Sequence, residues 1–163
     1  MRATGFTHTS IHAYDLAESV QFYTEVLGMR RVPSPDFPNV EVEWLQLGDQ
    51  QLHLFLSDGP APPAHHIGLN VDDFEAAYRI ASERALFDDG TFGAQVRELT
   101  DGAVQMYLRD PAGNLVELNW PDVTTLDRSA IPNITRIEDE RAQSQEARQA
   151  RLYTAGAATN DSR

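Results

Sequence analysis

The chain has 163 residues, 41% of them hydrophobic and 9% aromatic, which is enough to close a core in one ordinary domain or two small ones that share it. Acidic residues outnumber basic ones 25 to 13, a formal net charge of -12, and every basic residue is an arginine, which argues against nucleic acid and anionic membranes as partners. No apolar run approaches the roughly 18 residues of a spanning helix, cysteine is absent, and MRATGFTHTSIHAYDL lacks the basic head and apolar stretch of a secretory signal, so a globular cytoplasmic protein is expected.

In chain order, a strand-like stretch from His8 runs into a helix for which Asp15 is the cap and Glu18 stands three residues on. Leu16, Val20, Tyr23 and Leu27 recur on one helical face before Gly28 supplies a stop. Two alternating stretches follow, Val40 to Leu47 and Gln51 to Leu56, separated by Gly48 and Asp49 as a tight turn. After the linker Ser57 to His65, HIGLNVDDFEAAYRI repeats the opening pattern: a strand from His66, then a helix with Asp72 and Glu75 as a capping pair and Phe74, Ala77, Tyr78 and Ala81 on one face. Strands are expected near Ala94 to Leu99, Ala103 to Arg109 and Leu115 to Trp120, with Asp110-Pro111-Ala112-Gly113 as a type I turn.

The fold class expected is therefore α+β: two βαβββ modules, about 4–57 and 64–121, within a domain spanning 1–121. From Pro121 the chain turns polar, and 122–163 is expected to be a partly helical or flexible surface extension, with a solvated helix over Asp139 to Leu152 and a frayed AGAATNDSR.

Strand alternation separates the face turned toward a helix from the opposite face. Ile67, Leu69 and Val71 form the apolar set, leaving His66, Gly68 and Asn70 opposite; His65 falls with the apolar set and is disfavoured. By the same parity His8, His53 and Glu117 lie on the non-helix face, His53 with Gln51 and Phe55, and Glu117 with Leu115 and Asn119. Three imidazoles and a carboxylate are a donor set for one divalent Zn, Fe, Mn, Ni or Co, and the repeat relates His8 to His66 and His53 to Glu117. His12 shares the face but lies near the far end of its strand and reads as structural. Trp44, Phe55, Tyr107 and Asn119 are candidate substrate contacts, and Arg97 and Arg109 read as surface arginines.

The elements HTSIHAYDLAESVQFYTEVLGM, HHIGLNVDDFEAAY and MYLRDPAGNLVELNW resemble the vicinal oxygen chelate superfamily, which includes glyoxalase I, epimerases, extradiol dioxygenases and bleomycin-binding proteins. The resemblance covers residues 4 to about 121 and implies a cupped mixed sheet around a metal-binding cleft, a divalent metal held there by His8, His66 and Glu117, with His53 at the place of a fourth ligand, and a homodimer. Glyoxalase I usually carries a carboxylate at the place of His53, so Glu117, the one carboxylate of the quartet, would serve as ligand and detach as catalytic base. The implied function is a metal-dependent lyase or isomerase acting on a small oxygenated metabolite through an enediolate-type intermediate. An Fe(II) extradiol ring-cleaving dioxygenase is the alternative suggested by Met106 to Glu117, although Leu99 to Gln105 lacks the second-sphere histidine of those enzymes. A non-catalytic small-molecule or drug-binding protein is the third class.

Overall fold

The computed structural model of the chain describes residue 2, residues 5–88 and residues 90–153. The described residues form two compact units, one drawn from 1–67 with 109–115 and one drawn from 68–108 with 116–153.

The first unit opens with β1 (His8–Ala13), after which Asp15 turns the chain into α1 (Leu16–Glu25). The Asp15 carboxylate accepts the Glu18 amide at 3.0 Å, satisfying one of the amides that a helix start leaves without an intrahelical partner. The buried stripe of α1 is Ser19, Phe22 and Tyr23, turned slightly from the face read in the sequence, and Gly28 follows at φ +67°. Strands β2 (Arg30–Val32), β3 (Val42–Leu47) and β4 (Gln50–Leu56) complete a sheet of order β1-β4-β3-β2. β1 runs parallel to β4, with Ser10 opposite His53, and the other pairings are antiparallel. Leu45, Leu52 and Leu54 are buried on the face that α1 covers.

The turn residues 109–115 belong to this unit and carry its best-satisfied buried polar group. Gly113 N bonds to Asp110 O at 2.9 Å and Gly113 takes φ +80°, as the turn signature requires. The Asp110 carboxylate, 5% exposed, accepts the amides of Ala112 and Asn114, the Asn114 side-chain amide and the Tyr23 hydroxyl at 2.7 to 3.0 Å. The same Asn114 amide reaches the His12 carbonyl at 2.8 Å, tying the turn to the end of β1.

Burial first, then the charge and hydrogen bond of Asp110, raise Tyr23 well above the ordinary phenol value of 10.0. The stabilisation linked to this shift is fully present below pH 10 and is lost as pH climbs toward the folded-state value. Tyr23→Phe is therefore expected to flatten the fall of stability above pH 10 in urea titrations. A fall as steep as in the parent chain would show that other phenols set the alkaline limit.

In the second unit, β5 (His66–Asn70) leads to α2 (Phe74–Glu83), and the cap is Asp73, not Asp72: its carboxylate accepts the Ala76 amide at 2.8 Å. β6 (Val96–Glu98), β7 (Val104–Arg109) and β8 (Leu115–Trp120) follow, and the sheet order is β5-β8-β7-β6-β9, where β9 is Ile134–Arg136. β6 is antiparallel to β7 and parallel to β9. Phe74, Ala81, Val96, Val104, Met106, Leu108, Val116 and Leu118 supply the buried apolar residues.

α2 ends in a left-handed turn: Leu86 N bonds back to Ala81 O at 2.9 Å, and Ala85 between them has φ +53°. A Cβ is strained there, so Ala85→Gly should raise stability by about 0.5–1 kcal/mol in urea unfolding. A loss would mean that glycine's unfolded-state entropy outweighs the relief of strain.

The extension differs most from the sequence reading. No helix spans Asp139 to Leu152; helical structure there is limited to α3 (Ile137–Glu140) and a single 3-10 turn over Ala147–Gln149. The segment instead spends its bonding groups on the sheet, with β9 beside β6, Arg128 on Glu98 at 2.6 Å and Thr100 Oγ1 donating to Ala147 O. The stretch AGAATNDSR lies outside the described residues.

Candidate functional site

Within the first unit, β1, β3 and β4 bring His8, Trp44 and His53 into one stack. The His53 ring lies 4.2 Å from His8 at 14° and 4.3 Å from Trp44 at 3°. Strand alternation produces this, because His53 pairs with Trp44 across β3 and β4 while His8 lies diagonally across β1. His53 is 6% exposed and its Nε2 is 2.9 Å from Gln51 Oε1. Burial, and then the neighbouring His8, lower its pKa from the ordinary histidine value. The buried Trp44 indole N–H has no hydrogen-bond partner among the described residues, which leaves a donor beside the imidazole stack. Phe55 follows His53 on the same face of β4, where it is half-buried.

His66 opens β5 on an exposed face, its Nδ1 3.0 Å from the Ala64 carbonyl. His8 likewise has Nδ1 3.0 Å from Thr7 Oγ1. A ring nitrogen engaged by a neighbouring oxygen, which fixes the ring's orientation, is the usual support of a metal-binding imidazole, and all three histidines have it. His65 is exposed and lies outside any strand. His12 meets Ala112 O at 3.2 Å, in keeping with a structural role.

Within the second unit, Glu117 and Asn119 on β8 are each 5% exposed. Gly68 on β5 lies against both: a Cβ built there would stand 3.4 Å from Glu117 Oε1 and 3.3 Å from Asn119 Nδ2. Asn119 Oδ1 is buried without a hydrogen-bond partner among the described residues, an acceptor left for a ligand. Tyr107 on β7 is buried within hydrogen-bonding reach of Glu117, and its hydroxyl also donates to Gln105 Oε1 at 3.2 Å. Desolvation, then the charge and hydrogen bond of Glu117, raise the phenol well above its ordinary value, while Arg97 pulls it the other way.

Arg97 corrects the surface reading. Its side chain is 12% exposed, donates to Phe92 O at 2.7 Å and pairs with Glu140 of α3 at 2.8 Å. Strand pairing puts Arg97 opposite Gln105, on the face that carries Tyr107. Arg109 caps its own turn through Gly113 O at 2.8 Å and reaches Pro63 O.

The order strand, helix, three strands occurs twice, in two mixed sheets, and this is the glyoxalase-like α+β fold. Residues 5–118 match the Glyoxalase/Bleomycin resistance protein/Dioxygenase superfamily, and the chain belongs to it. The uncharacterized protein YwbC of Bacillus subtilis (strain 168) is 31% identical over 120 residues, 68% of this chain and 92% of that one. Among solved structures, lactoylglutathione lyase from Agrobacterium tumefaciens superposes with a TM-score of 0.56 at 22% identity, over 72% of this chain and 94% of its own. The oxidase ChaP-H1 superposes with a TM-score of 0.56 at 28% identity, over 72% of this chain and 95% of its own. Members of the superfamily typically use a divalent metal. Among the described residues no three His, Asp or Glu side chains are grouped as a ready-made metal centre. Within the first unit the oriented imidazoles of His8, His53 and His66, and within the second the carboxylate of Glu117, are donor types that such an ion takes.

Proposed function

We propose that this chain is a metal-dependent lyase or isomerase acting on a small oxygenated metabolite through an enediolate-type intermediate. The observation that carries the reading is Glu117: a buried carboxylate within hydrogen-bonding reach of Tyr107, packed so close to Gly68 that a Cβ there would stand 3.4 Å from its Oε1. A divalent ion held by His8, His53, His66 and Glu117 would act as a Lewis acid on developing oxyanion charge. Glu117 removes the proton next to the substrate carbonyl and returns it to the adjacent carbon, so that no co-reactant is consumed. Tyr107, whose one hydroxyl proton lies within reach of both Gln105 Oε1 and Glu117, turns it to the carboxylate and so holds the carboxylate in place. Asn119 Oδ1 accepts from a substrate hydroxyl, and Trp44 and Phe55 wall the imidazole side. A homodimer in the cytoplasm, with no nucleic-acid or membrane partner, belongs to the same reading; no helix among the described residues is long and apolar enough to cross a membrane.

Fe(II)-dependent ring cleavage is the second reading, supported by the Tyr107–Glu117 pairing and the likeness to an oxidase. A binding protein without chemistry is the third. Incubation with a panel of α-hydroxy aldehydes and ketones in deuterium oxide separates them. Exchange of the α-proton without oxygen uptake is expected; oxygen consumption on catechols with Fe(II) would replace this reading with the second, and neither activity would leave the third.

A further inference from the structure

The 121–153 extension runs from β8 back to the face that carries Glu117. Along this path Asp127 N donates to Glu75 Oε1, β9 pairs with β6, Glu140 takes Arg97, and Leu152 N donates to Asp101 Oδ2 at 2.8 Å. This path reaches Tyr153, whose hydroxyl donates to Asn70 Oδ1 at 2.9 Å. Asn70 is two residues along β5 from Gly68, and alternation puts both on the face where Glu117 and Asn119 approach Gly68. Nothing in the sequence of the extension marks Tyr153, because the bond that places it joins residues 83 positions apart.

We propose that Tyr153 is a specificity-determining residue of the Glu117 site, a wall that admits small hydroxylated carbonyl compounds and excludes substrates carrying a bulky conjugated arm. Three observations support it: the phenol is fixed to Asn70, the backbone just before it is fixed to Asp101, and a buried acceptor without a partner, Asn119 Oδ1, lies on the same face. Burial, and then Glu117 and Asp101, push the Tyr153 phenol up to about 12, which is consistent with a ring near the carboxylate and keeps the hydroxyl a donor to Asn70 at neutral pH. The substrate class rests on the reading of Glu117 as the reacting carboxylate; the wall itself does not.

The chain has no cysteine, so Gly68→Cys introduces a single thiol beside Glu117 in the full-length protein. Its labelling rate is compared for iodoacetamide, a small probe, and fluorescein-5-maleimide, a bulky one, with residue 153 as Tyr, Phe or Ala. The expected result is similar iodoacetamide rates in all three and maleimide labelling at least tenfold faster with Tyr153→Ala, while Tyr153→Phe, which keeps the ring, stays within threefold of the parent. Equal maleimide rates for the parent and Tyr153→Ala, both folded by thermal melt, would overturn the proposal, as would a Tyr153→Phe rate as fast as that of Tyr153→Ala. The measurement uses neither metal nor substrate. A size effect without α-proton exchange would therefore refute the functional reading alone, and exchange without a size effect would refute only the wall.

Discussion

Asp110→Ala is expected to lower the unfolding free energy by about 3–5 kcal/mol, a large share of the stability of a domain whose total lies at about 5–15 kcal/mol. Four donors converge on this carboxylate, two backbone amides, the Asn114 amide and the Tyr23 hydroxyl, and alanine would leave them in the interior without it. Desolvated donors without acceptors cost more than the original hydrogen bonds contribute, which is why the expected loss exceeds that of an ordinary core truncation of the same size. Asp110→Asn keeps one oxygen for the two backbone amides but turns an NH2 toward the Asn114 amide, so about 2 kcal/mol is expected. Urea unfolding followed by circular dichroism reads both values. A loss under about 1 kcal/mol for Asp110→Ala would mean that water replaces the carboxylate and that the turn is not a cornerstone of the first unit.

Glu117→Gln is expected to reduce α-proton exchange at least a hundredfold while leaving the unfolding midpoint nearly unchanged. The amide matches the carboxylate in shape and can still accept from Tyr107, but it cannot take a proton, and positioned proton transfer supplies about two to four orders of magnitude. Gly68→Ala reaches the same site sterically, since its methyl would stand 3.4 Å from Glu117 Oε1. Exchange that survives Glu117→Gln would pass the role of base to another group and remove the central support for the enolising reading.

The elements closest to chemistry were the most legible in the sequence. Asp15, with an apolar face behind it, can only start a helix that packs on a sheet, and the alternation of Ile67, Leu69 and Val71 puts His66, Gly68 and Asn70 on the opposite face. The cap of α2 moved by one residue because Asp72 and Asp73 are chemically equivalent caps, and only the entry angle of the chain selects between them. The partnership of Tyr23 with Asp110 and the burial of Arg97 were hidden for a different reason: each depends on residues distant in sequence, and a tyrosine in a helix stripe or an arginine in a strand reads the same with or without its partner. β9 is three residues long, too short for a periodic signal, and exists because β6 offers it an edge. The charges of Asp139 to Leu152 favoured a solvated helix by local propensity, but fixed contacts of Glu140 with Arg97, Ala147 with Thr100 and Leu152 with Asp101 outweigh a preference worth a few tenths of a kcal/mol per residue.

The central claim, a divalent metal held by His8, His53, His66 and Glu117, is tested most directly by elemental analysis of protein purified without added metal or chelator. The parent chain is compared with the His8→Ala/Glu117→Ala double variant and with His66→Ala and His65→Ala. About one Zn, Fe, Mn, Ni or Co per chain is expected in the parent and in His65→Ala, and its loss from the other two. No metal in the parent, even after reconstitution, or full occupancy in the double variant, would contradict it.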